Sequence, residues 1–325
     1  MKAGAYRRTG PAREVLEIVE LDVPNPGPGE VRVRMRRAGV NPTDVKSRAG
    51  YRGRPMAFPM QVPGQDGAGV VDAIGEGVER ARLGERVWLF HTALGRPLGS
   101  AAELAVVPEW QAVPLPNGTS DDQAAGLGIP FMTAHRCLLA DGPVDGATIL
   151  VAGGAGAVGN AAIQLARRAG ARVIATASNE AKSELARQAG AELVVDYTAP
   201  GAADTIREFA PDGVNRIVEV ALGTNLELDL AVAARAAKIV TYSPDPSPVE
   251  LSLMPLIARD VELMFMLIYS APEAALREAA ECISDALRDD ALRPLPTRRF
   301  QLDDVVAAHE AVEAGTVGKV VLEID

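Results

Sequence analysis

The chain has 325 residues, 48% of them hydrophobic and 23% charged, with a formal net charge of −10. That length sets an expectation of about two domains, and the acidic balance argues against a nucleic-acid or anionic-membrane partner. No stretch reaches the ~18 uncharged apolar residues of a membrane span and the first residues lack a signal peptide's apolar core, so a cytoplasmic protein with no membrane partner is expected.

From residue 1 to about 117, short β runs are broken by Pro and Gly: K-A-G-A-Y, V-L-E-I-V-E-L, E-V-R-V-R-M, G-A-G-V-V-D-A-I-G, G-E-R-V-W-L-F and A-A-E-L-A-V-V. This pattern predicts a partly open β-barrel. P-N-P-G-P-G-E, 24–30, reads as a rigid turn, and the alternating Arg32, Arg34, Arg36 with Arg37 as the wet face of a strand.

From about residue 121 the pattern alternates. Strands are expected near 148–152, 172–176, 192–195, 215–220, 237–242 and 261–267, and helices at 157–169, 180–189, 202–209, 226–236 and 273–287. Six strands with crossover helices predict an α/β, doubly wound parallel sheet. The closing T-R-R-F, D-D-V-V-A-A-H-E-A-V-E and G-K-V-V-L-E-I return to the first domain. The expected organisation is therefore a barrel domain of 1–120 and 269–325, with 121–268 inserted as a nucleotide-binding domain.

The insertion opens on a chemical motif. In T-I-L-V-A-G-G-A-G-A-V-G-N-A-A-I-Q-L-A, 148–166, a buried strand runs through Gly153, Gly156 and Gly159 into a helix. Small residues let the backbone approach a pyrophosphate, and the amides of Ala157 and Val158 open the helix where its dipole favours an anion. An NAD site places an acid at the tip of the next strand, about 20 residues on, to accept from the ribose 2′-hydroxyl. Here that strand runs into Ala177, Ser178 and Asn179. Ser178 and Lys182 offer a hydroxyl and an ammonium, and Tyr197 a phenol, as a 2′-phosphate requires; NADPH is the expected cofactor. Glu180 is the residue that could reverse this by folding back onto the ribose.

Ligands lie at the carboxyl ends of parallel strands, which adds Ala221, Tyr242, Ser243, Met266 and Ile268 as cofactor-facing positions. Met56, Phe58, Met60, Phe131 and Met132 could wall a flat apolar pocket or belong to the core. Two cysteines, Cys137 and Cys282, make no disulfide framework, and three histidines, at 91, 135 and 309, show no ligand spacing, so no metal is expected.

The chain resembles the zinc-free quinone oxidoreductases, the zeta-crystallin-like family of medium-chain dehydrogenases/reductases. A-G-V-N-P-T-D at 38–44, V-P-G-Q-D-G-A-G-V-V at 62–71, G-S-A-A-E-L-A-V-V-P at 99–108, the glycine loop, Ser178 with Lys182, Asp196-Tyr197 and G-K-V-V-L carry the likeness. It implies a GroES-like barrel domain beside a Rossmann domain. Zinc members have Cys where this chain has Asn41, and His where it has Gln65. The resemblance also implies that Asn41 lies near the nicotinamide ribose and Thr133 at the nicotinamide; Tyr51, after R-A-G, is a candidate donor to the acceptor oxygen or a packing residue. The family joins two subunits at the edge strand, which here is V-E-L-M-F-M-L-I, 261–268, implying a homodimer.

Without a Lewis acid, alcohol dehydrogenation loses its main stabilisation, whereas electron-poor acceptors need only a few donors for the developing oxyanion. The expected activity is NADPH-dependent, zinc-independent hydride transfer to a small apolar quinone or α,β-unsaturated carbonyl. Two alternatives stay open: an enoyl-thioester reductase, hinted at by Arg48, Arg52 and Arg54, and an NADPH-binding structural or sensor protein without significant turnover.

Overall fold

The computed structural model describes residues 1–53, 55–244 and 249–324. It divides into two units, Met1–Ile129 with Pro294–Asp325, and Pro130–Arg293.

The first unit carries β1 (Lys2–Ala5), β2 (Glu17–Glu20), β3 (Glu30–Val40), β4 (Asp66–Ile74), β5 (Arg86–Leu89), β6 (Leu104–Pro108) and β7 (Ala112–Pro114), with α1 (Ala12–Val15), α2 (Pro42–Ala49), α3 (Asp121–Ala124) and the start of α4 (Gly128–Leu139). Side chains alternate across a strand, so Val31, Val33 and Met35 of β3 enter the core while Arg34 and Arg36 face out. The four arginines meet Asp72, Asp121, Asp122 and Glu323, a neutralised wet face. Register shifts between β3 and β4 bend the sheet in the manner of bulges. V-L-E-I-V-E-L is strand only over β2; its first residue, Val15, ends α1, and Val15 and the following Leu16 are buried.

The second unit carries β8 (Thr148–Val151), α5 (Ala157–Arg168), β9 (Arg172–Ala177), α6 (Glu180–Gln188), β10 (Leu193–Asp196), α7 (Ala202–Phe209), β11 (Val214–Glu219), α8 (Leu222–Val232), β12 (Ala233–Thr241), α9 (Leu253–Ala258), β13 (Glu262–Phe265) and α10 (Glu273–Arg288). All six strands are parallel, in the order β10-β9-β8-β11-β12-β13, the doubly wound order that reverses beside β8. Every residue of β8 is buried, as for a strand covered on both faces.

The chain then returns through β14 (Thr297–Gln301), α11 (Val305–Glu313) and β15 (Lys319–Glu323), giving the first unit a sheet ordered β14-β15-β3-β4-β5-β7, with β6 also on β3. Several expected boundaries move, the crossing into the second unit to Pro130 from 121 among them. The return falls at Pro294 rather than 269, because α10 buries Leu276, Ala279, Ala280 and Ile283 within the second unit. The helix expected at 226–236 ends at Val232, since Ala233 already pairs with Val214 as strand.

Candidate active site

In the second unit, the parallel register brings most of the expected cofactor positions to one sheet edge. Asp196 pairs with Ala177, so Tyr197 and Ser178 leave their strands side by side; Glu219 pairs with Thr241 and Thr241 with Phe265, so Ala221, Tyr242 and Met266 follow at the same end. The ladder continues past the strands, Tyr242 N donating to Glu219 O at 3.2 Å and Met266 N to Thr241 O at 2.9 Å.

Beside them the glycine loop closes on itself. Gly153 has φ +68°, a left-handed conformation natural to glycine; its amide donates to Thr176 Oγ1 at 3.1 Å, and that of Gly154 to Thr176 O at 2.9 Å. At Gly159 a Cβ would stand 2.3 Å from the Gly153 carbonyl oxygen. Helix α5 starts after Gly156 with no side-chain cap, leaving its first amides, Ala157 and Val158 among them, without intrahelical acceptors.

At the tip of β9, Lys182 Nζ donates to Ser178 Oγ at 3.0 Å. Asn179 Oδ1 accepts from Lys182 N at 3.0 Å, which commits Asn179 to capping α6. Glu180 is held by Arg187 on the same helix, 2.7 Å from Nη1, and its carboxyl lies below the usual range through that contact. Asp196 accepts from Thr198 N and Oγ1, and Tyr197 is exposed. Thr133 is buried in α4 and Ile268 in the turn after β13; Ser243 follows Tyr242 beyond β12.

A buried acid pair at this edge was not expected. Glu219 ends β11 and accepts from Ala221 N and, at 3.0 Å, from Asn225 Nδ2. Asp229, one turn further along α8, is buried against it. Burial and the Glu219 charge push the Asp229 carboxyl well up, and burial also raises Glu219. The pair's only signal in the sequence is that Glu219 and Asp229 fall in a run rich in apolar residues, 214–233.

In the first unit, Asn41 joins β3 to α2. Its amide is 2% exposed and lies between opposite charges: Nδ2 donates to Asp66 Oδ2 at 2.8 Å, and Oδ1 accepts from Lys319 Nζ at 2.7 Å. Lys319 also reaches Asp66 Oδ2 at 3.3 Å, and Ile129 N donates to Asp66 Oδ1 at 2.7 Å. Asp44 accepts from Asn41 N at 2.8 Å; burial, with the Asp66 charge, raises its carboxyl to about 7. Gln65 Oε1 accepts from Ala93 N at 3.3 Å. Tyr51 opens a 3₁₀ turn, with Lys46 Nζ 5.5 Å from its ring centroid.

Other expectations resolve as packing. Met132 is fully buried, and Met56 and Met60 pack on the core of the first unit. Arg48 is wholly buried, donating to Gly10 O and Glu313, so it cannot form a basic entrance; Arg54 and the side chain of Arg52 lie outside the described residues. Burial lowers His91 to about 4 and His309 to about 3, and lowers His135. Cys137, its thiol pushed by burial to about 12, and Cys282 are both free.

Residues 27–117 match the family described as alcohol dehydrogenase GroES-like domain, and 157–285 that described as zinc-binding dehydrogenase. A rat quinone oxidoreductase is 30% identical over 314 residues, covering 95% of this chain and 94% of its own. The chain belongs to the quinone oxidoreductase family. Among solved structures of the medium-chain fold, a mycobacterial protein complexed with NADPH is 30% identical, covering 99% of this chain and 100% of its own, with a TM-score of 0.86. A structure titled an NAD-dependent alcohol dehydrogenase is 29% identical over 100% of both chains, TM-score 0.90.

The second description raises zinc. Zinc takes thiolate, imidazole or carboxylate ligands in a tetrahedral set. Asn41 and Gln65 offer amides, Asp66 is already paired with an ammonium, and no group of three or more His, Cys, Asp or Glu among the described residues could hold a metal. The residues do not fit zinc. No helix among the described residues is long and apolar enough to cross a membrane.

Proposed function

We propose that this protein is an NADPH-dependent reductase that passes a hydride to a quinone or an α,β-unsaturated carbonyl without a metal. The observation that carries the reading is the Ser178–Lys182 corner, with Glu180 drawn to Arg187, in a chain of this family. Bound NADPH supplies a hydride from the nicotinamide, two electrons with one hydrogen, and leaves as NADP⁺; a proton taken up by the acceptor completes the product.

The open first-turn amides of Ala157, Val158 and Gly159 hold the pyrophosphate, Gly153 and Gly156 let the backbone approach it, and Ser178, Lys182 and Tyr197 hold the 2′-phosphate. Thr133, Ala221, Tyr242, Ser243, Met266 and Ile268 orient the nicotinamide and its ribose; Asn41, near that ribose, and Tyr51, at the acceptor oxygen, are the catalytic residues. The ammonium beside Asn41 and Asp66 supports metal independence, since it repels a cation there. Exposed Phe265 and Leu267 beside β13, with Met254 and Ile257 on α9, support a homodimer joined at that edge.

Stopped-flow loss of NADPH absorbance, in chelator, with phenanthrenequinone, a benzoquinone and a set of enones tests the activity. Turnover on at least one acceptor class is expected. Tight NADPH binding with no turnover on any of them would replace the reductase by a binding protein.

A further inference from the structure

Lys319 is the one buried lysine among the described residues, 5% exposed. It opens β15, where Val320 pairs with Val40 at the end of β3, so the return of the chain delivers an ammonium beside Asn41. Space is kept for it: at Gly39 a Cβ would lie 2.9 Å from Lys319 Cε and 2.1 Å from the Ala125 carbonyl oxygen. A buried ion pair is weak as a source of stability, because desolvation of both charges offsets their attraction. Its effect on Asn41 is directional.

With the ammonium on Oδ1 and the carboxylate on Nδ2, only one orientation of the amide is allowed. Turning it over would set NH₂ against the ammonium and the carbonyl oxygen against the carboxylate. An amide carries two N–H donors. Asp66 takes one, and the same constraint fixes where the other points.

We propose that Lys319, paired with Asp66, is a positioning residue that locks the Asn41 amide so that its second N–H is presented to the acceptor oxygen. This rests on the reading that Asn41 is catalytic. A fixed donor at a developing oxyanion needs no reorganisation during the reaction.

Lys319→Met alone leaves Asp66 buried and unpaired and can unfold the unit. The informative protein is Lys319→Met/Asp66→Asn, neutral and of similar shape, in which the amide can take either orientation. In that double variant, with its thermal midpoint preserved, NADPH affinity stays unchanged, kcat falls about a hundredfold, the lower end for losing one oxyanion donor, and Lys319→Arg keeps most of the activity. Asn41→Ala loses as much, and combining it with the double variant costs nothing further in kcat, since groups acting through one another are not additive.

A folded double variant with kcat within about twofold of wild type, or losses that multiply in the triple variant, overturns the proposal. If the wild-type protein reduces no acceptor, the functional reading fails separately. The Asn41 side-chain amide resonances in nitrogen–proton spectra then decide: shifts displaced from those of a free amide in wild type and relaxed towards them in the double variant are the expected result, and identical shifts in both overturn it.

Discussion

Lys182 Nζ lies 3.0 Å from Ser178 Oγ at the carboxyl end of β9, four residues after the hydroxyl on the first turn of α6. The two groups form a donor corner while Asn179 is spent on the helix cap and Glu180 on Arg187. A dianionic phosphate is suited to that corner. A bare ribose hydroxyl gains much less from it.

Lys182→Ala therefore weakens NADPH binding by about 1.5–3 kcal/mol, the range for a lost charged hydrogen bond, and leaves NADH binding nearly unchanged. Calorimetric titration of both cofactors checks this. Equal losses would detach Lys182 from the 2′-phosphate.

Asp44 gives a pH signature. Its folded value of about 7 lies above the ~3.9 of an unfolded chain, so folding favours its protonated form. Stability from this group is fully present below about pH 4 and is lost as pH rises towards 7. Asp44→Asn removes that slope, so the variant gains on the wild type from pH 4 to 7, by about 1.4 kcal/mol for each unit of pKa difference. Thermal melts of both proteins across the range measure the gap; a constant gap contradicts the assignment.

Lys319→Met strands the Asp66 carboxylate in the core and should destabilise by about 3–5 kcal/mol, as when one partner of a buried pair is removed. Adding Asp66→Asn should recover most of it. Denaturant midpoints of the first unit's unfolding report both.

Phe265 is 75% exposed on β13 and Met254 is 70% exposed on α9. Charges there, as Phe265→Glu with Met254→Glu, should turn a dimer into monomers while leaving each fold intact. Light scattering at micromolar concentration checks it, and a monomeric wild type would remove the dimer altogether.

The parts of this architecture that were legible from the sequence are those written in local order. The β8–glycine–α5 run and the six parallel strands each follow from neighbouring residues whose periodicity or backbone chemistry is self-contained, whereas the edge position of β13 was implied by the family resemblance. The Ser178–Lys182 contact was equally readable, because four residues bring a strand tip and a first helical turn together.

What escaped depends on tertiary pairing. Lys319 meets Asn41 across 278 positions and Asp66 across 253, and only the β15–β3 register makes them neighbours. A hint existed in G-K-V-V-L, where a lysine opens an otherwise apolar strand. The early end of α8 was hidden because Ala233, Ala234, Ala236 and Ala237 suit helix or strand, and the choice was made by pairing with β11. The exit at Pro294 was missed because the length of α10 said nothing about which core it joins.

The central claim is a preference for the phosphorylated cofactor in a reaction that needs no metal. kcat/KM for NADPH and for NADH, measured side by side on metal-stripped wild-type protein with one quinone in chelator, tests it most directly. NADPH should be favoured by about tenfold or more, the consequence of one or two charged hydrogen bonds, with full activity retained in chelator. Equal or better use of NADH, or activity abolished by chelator and restored by stoichiometric zinc, would contradict it.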